Sequence, residues 1–152
     1  MKIIAKNKRA YFDYFVVETL EAGLVLTGAE VKSVKAGHIN LKGSFVSLLD
    51  GIPKIVNCHI SSYKHAKTKQ NNYDPTGARK LLLNRKEVSS LIGLSQQKGL
   101  TLLPLSVYTK NGFVKVELGL CKGKKQHDKR DILKKKAVNR EIAQAIRDKT
   151  SR

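Results

Sequence analysis

The sequence predicts a mainly β fold with short helices, a small antiparallel barrel or sandwich that is followed by a basic tail. Short runs of β-branched and aromatic residues recur along the chain, and the pairs Asp50-Gly51 and Asn111-Gly112 separate neighbouring runs. The composition becomes strongly basic after Leu120. Because 152 residues is near the usual size of one domain, we expect a folded body over residues 1–121 and a tail over residues 122–152.

The N-terminal part is expected to begin as a short basic arm over residues 1–10. A strand is predicted over residues 14–20 and again over residues 24–26, where aromatic and β-branched residues cluster. Glu21-Ala22-Gly23 is the expected turn between these two pieces.

Two short helices are predicted from N-terminal capping patterns, in which a side-chain oxygen accepts a hydrogen bond from a first-turn amide. Thr27 and Glu30 have this spacing and predict a helix at about residues 28–36. Asn84 and Glu87 form a similar pair ahead of an amphipathic run. The first helix is expected to end at Gly37 in the left-handed conformation, and the second is expected to stop at Gly99.

Two hairpins are predicted at Asp50-Gly51 and Asn111-Gly112, because type I′ turns need positive φ at both central residues. Their strands are expected over residues 45–49, 52–60, 101–108 and 113–120. The polar residues 61–78 predict a long exposed loop, which in a compact domain is typically functional or disordered. A further strand is expected over residues 80–83.

The tail carries twelve Lys and Arg against four Asp and Glu, which leaves 12 − 4 = +8. Its sparse apolar residues include Val138, Ile142 and Ile146, which recur every four residues and give a helix a thin apolar stripe. This stripe is too narrow for a stable isolated helix. We therefore expect a tail that is disordered when free and helical when bound.

A net charge of +18 favours a polyanionic partner, since phosphate binding by basic proteins is driven by release of condensed counterions. RNA, DNA and an anionic membrane are the candidates. No apolar stretch approaches the roughly 20 residues of a spanning helix, and no bulky apolar anchor accompanies the charges. The chain begins without the apolar core of a signal peptide, so a cytoplasmic protein is expected.

Catalytic and metal-binding motifs are not recognised in the sequence, and no cofactor is expected. Cys58 and His59 are adjacent, so on a strand they point to opposite faces and are poorly placed to share a metal ion. We expect Cys58 and Cys121 to be buried thiols. An RNA-processing enzyme with His127 or His59 as acid–base residue is one alternative to a binding protein.

The densest basic run spans residues 122–130 and combines lysines, an arginine, His127 and a glycine that allows close backbone approach. Such a run is typical of RNA binding, although it also fits a solvated tail that only aids solubility. Asn7-Lys8-Arg9 and Arg79-Lys80 are weaker candidates of the same kind.

Several of these segments, in order, resemble the SsrA-binding (tmRNA-binding) protein family, also called small protein B. They are Asn7-Lys8-Arg9-Ala10, Glu21-Ala22-Gly23-Leu24, Gly28-x-Glu30-Val31-Lys32-Ser33, Asp74-Pro75-Thr76, Arg79-Lys80-Leu81-Leu82-Leu83 and Lys122-Gly123-Lys124-Lys125-Gln126-His127-Asp128-Lys129-Arg130. The set spans nearly the whole chain, and its order makes the resemblance specific.

The resemblance implies a closed OB-like β-barrel with flanking helices. It also implies a monomeric, non-enzymatic protein that binds the tRNA-like domain of tmRNA in trans-translation, the rescue of stalled ribosomes. The implied partners are tmRNA, the ribosome with its small-subunit rRNA and, through alanyl-tmRNA, elongation factor Tu. The tail is expected to reach the decoding centre and enter the empty message channel as a helix.

The resemblance also implies two sets of site residues. The tmRNA-binding set is Asn7, Lys8, Arg9, Glu21, Lys32, Lys35, Arg79, Lys80, Leu82, Lys115, Gly123, Lys124 and Lys125. The ribosome-contacting set is His127, Asp128, Lys129 and Arg130, with His127 stacking on a decoding-centre base.

Physical roles can be given to three residues of the first set. Lys115 would contact phosphate. Glu21 would accept from an exocyclic amine or a 2′-hydroxyl or orient a nearby cation, unless it is a turn or capping residue. Leu82 would pack against a base or ribose, unless it is an ordinary buried strand residue. Two departures stand out, since Gly77-Ala78 replaces a basic loop residue and Lys35 stands where arginine is common.

A constitutive ribosomal or general RNA-binding protein is the second alternative, since charge and tail fit it equally well. The ordered motifs separate the two interpretations.

Overall fold

The computed structural model describes residues 1–63, 73–97 and 99–150, with the backbone alone at residues 126–128, 131–132 and 148–150. The strands are β1 Lys2–Lys6, β2 Tyr14–Leu24, β3 Ile39–Asn40, β4 Phe45–Ser47, β5 Lys54–Val56, β6 His59–Ile60, β7 Arg79–Leu82, β8 Leu100–Lys110 and β9 Phe113–Gly123. The helices are α1 Lys8–Asp13, α2 Gly28–Lys35, α3 Arg85–Ser95 and α4 Gln126–Thr150, with a 3₁₀ turn at Leu49–Gly51.

One antiparallel sheet organises the fold, with the strand order β1-β8-β9-β2-β7-β5-β4. A small second sheet pairs β3 with β6. In the main sheet, Val116 lies opposite both Ala22 and Val107, so these paired residues share the inner face. Bulges in β1, β2 and β8 shift the register and bend the strands that carry them.

The expectation of a mainly β, antiparallel fold with short helices is confirmed. The closed barrel is not confirmed. Strands β1 and β4 lie at the two ends of the sheet order, and no ladder joins them among the described residues.

The main hydrophobic core lies between the sheet and helices α2 and α3, which contribute the buried Val34 and Leu91. A smaller cluster lies under α1 and consists of Ala10, Leu103, Leu105 and Cys121. Burying each large aliphatic side chain stabilises the fold by about 1.5–3 kcal/mol, so both clusters fix the helices against the sheet.

Local signals predicted several elements correctly. Helices α2 and α3 both begin with a complete capping box, at Thr27 and Asn84. Asn111 and Gly112 have φ values of 53° and 80°, as the hairpin between β8 and β9 requires. Asp50 and Gly51 also have positive φ, although their turn is part of the short 3₁₀ segment.

Other local predictions were wrong. Residues 1–10 are not a free arm, because β1 pairs with β8 and α1 packs on the second core cluster. Glu21-Ala22-Gly23 is not a turn, since β2 continues through it while pairing with β9. The strand expected over residues 52–60 is broken at Asn57, whose φ is 61°, so that β5 and β6 join different sheets.

The expected loop lies partly outside the described residues, which include 61–63 and 73–78 of it. The tail is helical from Gln126 to Thr150, as implied for its bound form, and its disorder when free stays a prediction. None of the described helices combines the length and apolarity that crossing a membrane requires.

Candidate nucleic-acid interface

Three strands bring together the side chains of one candidate surface. Gly23 of β2 is paired with Leu82 of β7 on one side and with Lys115 of β9 on the other, so the three residues form a row on one face of the sheet. Glu21 lies two residues before Gly23 and points to the same face. We call these four residues, together with Lys110 of the adjacent strand β8, the β2–β9 face.

Glu21 is held in place by two residues of β8, the buried Tyr108 and the exposed Lys110. The hydroxyl of Tyr108 donates a hydrogen bond to Glu21 Oε2, and Lys110 Nζ lies 3.5 Å from the same oxygen. The Tyr108 hydrogen bond, together with the positive charges of Lys110 and Lys115, lowers the pKa of the Glu21 carboxyl. Glu21 is therefore an ionised acceptor beside lysines, which fits the interpretation that it orients a cation.

Leu82 projects from the sheet with 64% of its surface exposed, whereas its neighbour Leu81 is 4% exposed. An exposed leucine beside a lysine offers an apolar contact for a base or ribose. Gly23 makes room for it, because a Cβ at Gly23 would lie 3.2 Å from Leu82 Cβ. Sequence reasoning missed Gly23 as a site residue, and its position between Glu21 and Leu24 in a predicted turn obscured it.

Asn7 lies near α1 with a mainly internal role. Its side-chain oxygen caps α1 by accepting from Ala10 N, and its amide donates to Pro104 O at 2.9 Å. The residue is buried. Its assignment to tmRNA stays a prediction, and the geometry indicates that it positions the exposed Lys8 and Arg9.

Arg79 is also buried, at 6% exposure. Its guanidinium donates to Glu30 Oε2 at 2.6 Å and to the carbonyl oxygens of Cys58 and Pro75 at 2.7 and 2.9 Å. The Tyr73 hydroxyl joins the same network. Arg79 thus ties Tyr73 and Pro75, in the later part of the 61–78 segment, to Glu30 of α2. Its direct contact with RNA stays a prediction.

Glu30 completes this network. Burial raises the pKa of its carboxyl, but hydrogen bonds from the Thr27 backbone, Arg79 and Tyr73 more than offset this, and the pKa lies below its ordinary value of 4.5. The carboxylate is therefore charged and paired inside the protein.

The remaining lysines of the tmRNA-binding set lie on exposed surfaces. Lys80 is exposed on β7. Lys32 Nζ lies 5.7 Å from the centre of the Tyr63 ring, and Lys35 Nζ donates to Gly112 O at 3.4 Å. These contacts leave the ammonium groups at the surface, where they can meet phosphate.

The junction between body and tail forms a second candidate surface. Lys124 donates from its backbone to Asp13 O at 2.8 Å and from Nζ to Tyr11 O at 2.9 Å, while Nζ lies 5.0 Å from the centre of the Phe15 ring. Gly123 ends β9 opposite Tyr14. Lys125 follows it at the surface.

The ribosome-contacting set lies at the start of α4. Lys129 Nζ is 3.0 Å from Asp13 Oδ1, and Arg130 is exposed. The side chains of His127 and Asp128 lie outside the described residues. Burial raises the pKa of Asp13, but Lys129 and Arg9 lower it by more, so that it lies below its ordinary value of 3.8.

A metal site finds no support among the described ranges, which contain no cluster of three potential ligands. Cys58 and Cys121 are free, buried thiols, as expected. Burial raises the pKa of each to about 11, so neither is a reactive thiolate. His59 is exposed while Cys58 is buried, which separates the pair.

Comparisons with known proteins agree over most of the chain. The family described as "SmpB protein" matches residues 4–148. The SsrA-binding protein of Shouchella clausii is 50% identical over 97% of this chain and 94% of its own. The SsrA-binding protein of Bacillus cytotoxicus is 51% identical over the same shares.

A solved chain agrees as well. It comes from work described as "tmRNA-SmpB: a journey to the center of the bacterial ribosome". The two chains share 45% sequence identity and a TM-score of 0.66, over 80% of this chain and 85% of that chain. With sequence, fold and the matched family in agreement, the chain belongs to the SmpB, or SsrA-binding, protein family.

Proposed function

We propose that this protein binds the tRNA-like domain of tmRNA and delivers it to stalled ribosomes for trans-translation. The β2–β9 face carries the proposal, since it combines an exposed leucine, a buttressed carboxylate and lysines on one surface. Lysine gives phosphate affinity, while the carboxylate and leucine give contacts that a purely electrostatic surface lacks. The names of the SsrA-binding relatives support this assignment.

The proposed partners are tmRNA and the ribosome with its small-subunit rRNA, and elongation factor Tu meets the complex through alanyl-tmRNA. This function is one of binding and delivery, without a catalytic step, and it belongs in the cytoplasm, where ribosomes work. A monomer is sufficient for it.

The finer fold that we propose is a closed OB-like barrel. Strands β4 and β8 approach within 8 Å between Cα atoms, which brings the two halves of the sheet order towards each other. The bulges in β1, β2 and β8 supply the curvature that such closure needs.

The experiment that tests the function is a titration of the protein against a tmRNA tRNA-like domain at several salt concentrations, with an unrelated structured RNA as competitor. We expect selective binding that survives near-physiological salt. Lys115→Ala should weaken it, whereas Lys86→Ala on α3, outside the β2–β9 face, should not. Equal and steeply salt-dependent binding to both RNAs would favour a general RNA-binding protein, and RNA cleavage would favour an enzyme.

A division of labour between body and tail is part of the proposal. Removing residues 131–152 should leave tmRNA binding nearly intact, weaker by at most about fivefold through the loss of Lys136, because the β2–β9 face is on the body. The same truncation should abolish peptide tagging on stalled ribosomes, which an in vitro translation assay measures. A truncated protein that still supports tagging contradicts this division.

A further inference from the structure

A strongly basic cavity of about 470 Å³ lies between the body and the tail helix. Its cationic lining comes from Lys6, Lys8, Arg9 and Lys42 of the body and from Lys136 of α4, and Phe12 contributes an apolar wall. No carboxylate is among the described residues that line it. Asp13 offsets the charge of Arg9, but four lysines remain around one space.

Such an arrangement repels itself unless an anion enters. The side chains of Lys136 and Arg9 both approach the Phe12 ring, at 6.0 Å from its centre, so two cations converge on the same wall. The volume is within the range of small-ligand sites. Concave shape and the absence of tryptophan argue against a membrane surface, which prefers protruding apolar anchors.

The two walls of the cavity belong to different parts of the chain, and Asp13 holds them together. Asp13 Oδ1 is buried and has no hydrogen bond of good geometry among the described residues, so the ammonium of Lys129, 3.0 Å away, compensates its charge. Lys129 precedes Lys136 by two helical turns. This ion pair, together with the hydrogen bonds from Lys124 to Asp13 O and Tyr11 O, therefore helps to position Lys136.

We propose that this cavity binds a phosphodiester group of an RNA backbone, and that Asp13 is a positioning residue that brings the tail wall to it. The inference rests on the proposed function, because tmRNA and rRNA are then the RNAs at hand. The inference also gives Lys129 the role of holding α4 to the body through Asp13. This role replaces the direct ribosome contact that the family resemblance implies.

The first test compares Lys42→Ala and Lys136→Ala with Lys134→Ala, an exposed lysine of the same helix that does not line the cavity. Each is titrated against a tmRNA tRNA-like domain and, separately, against small ribosomal subunits. We expect about fivefold weaker binding for each cavity variant, as for one exposed ion pair. The slope of log affinity against log salt should become shallower by roughly 0.7–1.

An effect on the tRNA-like domain alone would identify tmRNA as the source of the phosphate, and an effect on the subunits alone would identify rRNA. Either supports the site. Cavity variants that bind both RNAs as tightly as Lys134→Ala would overturn it.

The second test is Asp13→Asn, which raises the net charge from +18 by one unit. If net charge alone governed the affinity, this variant would bind RNA more tightly. If Asp13 positions the tail wall, Lys136 is displaced from the cavity and binding should be about as weak as in Lys136→Ala. The double variant Asp13→Lys with Lys129→Glu restores the pair in reverse and should recover most of the affinity. Tighter binding by Asp13→Asn would refute the positioning role.

Failure of the proposed function would be visible separately. The unmodified protein would then bind the tRNA-like domain and an unrelated RNA equally, whatever the cavity variants do. Thermal unfolding of every variant shows whether misfolding causes any weak binding. Apart from Asp13, the substituted residues are exposed or half-exposed lysines.

Discussion

Neighbouring residues of one strand serve different purposes in this protein. Leu81 faces the core and Leu82 faces outward beside Gly23, because side chains alternate along a strand. The family motif contains three consecutive leucines, and composition alone does not separate them. The exposed fraction of each side chain separates Leu81 from Leu82, and it makes Leu82 the candidate for contact with RNA.

Replacing each of these leucines by alanine should therefore separate binding from stability. Leu82→Ala should lower affinity for the tRNA-like domain several-fold while leaving the Tm almost unchanged, because little of its surface is buried in the fold. Leu81→Ala should lower the free energy of unfolding by about 2–5 kcal/mol. Urea denaturation and RNA titration of both variants check this, and a stability loss in Leu82→Ala would contradict the assignment.

Asn7 and Arg79 show what sequence reasoning could not predict at the residue scale. Both are polar residues in family motifs next to basic neighbours, which favoured an RNA contact. In the structure, their hydrogen bonds go to backbone and side-chain groups distant in sequence, such as Pro104 O and Glu30. Such partners depend on tertiary packing, so no local pattern indicates them.

At the scale of elements, short-range signals succeeded and long-range pairing overruled the rest. The capping boxes of α2 and α3 need contacts three residues apart, and both were predictable. Strand β2 instead owes its continuity to β9, which pairs along nearly its whole length. The hydrogen bonds of this ladder outweigh the tendency of Glu21-Ala22-Gly23 to form a turn.

The centre of the sheet depends on Gly119 of β9. A Cβ there would lie 2.6 Å from Leu105 Cδ1, and Leu105 is fully buried. Gly119→Ala should lower the free energy of unfolding by about 1–3 kcal/mol through overpacking.

Combining Gly119→Ala with Leu105→Ala provides the matched control. The double variant should lose less stability than the sum of the two single variants, because the cavity left by Leu105 accommodates the added methyl group. Urea denaturation measures the free energy of unfolding of all three variants. If the loss in the double variant equals the sum of the two single losses, the two side chains do not compete for space.

The whole molecule combines a large positive charge with a few paired carboxylates. Glu30 and Asp13 both have pKa values below their ordinary values of 4.5 and 3.8. A carboxyl with a lowered folded-state pKa stabilises the fold above its ordinary pKa and loses this effect as the pH falls through the folded-state value. Acid therefore removes the Glu30–Arg79 pair and the pairs of Asp13 with Arg9 and Lys129, while the basic charge remains.

We expect the free energy of unfolding to fall below about pH 4.5 for this reason. Glu30→Gln should cost about 3 kcal/mol at neutral pH, since it leaves Arg79 without its buried partner. The difference in the free energy of unfolding between the unmodified chain and Glu30→Gln should become smaller as the pH falls, because protonation of Glu30 breaks the ion pair in the unmodified chain. Urea denaturation from pH 3 to pH 7 measures it, and a constant difference would exclude this role of the Glu30–Arg79 pair.

The sequence by itself determined the mainly β class, both helix starts, the Asn111-Gly112 hairpin, the basic tail and the family resemblance. These depend on spacing within a few residues, on composition and on the order of motifs. Only the tertiary structure decided the continuity of β2, the burial of Arg79, the row from Leu82 to Lys115 and the cavity between body and tail. Each of these joins residues far apart in sequence, and packing in three dimensions alone selects such partners.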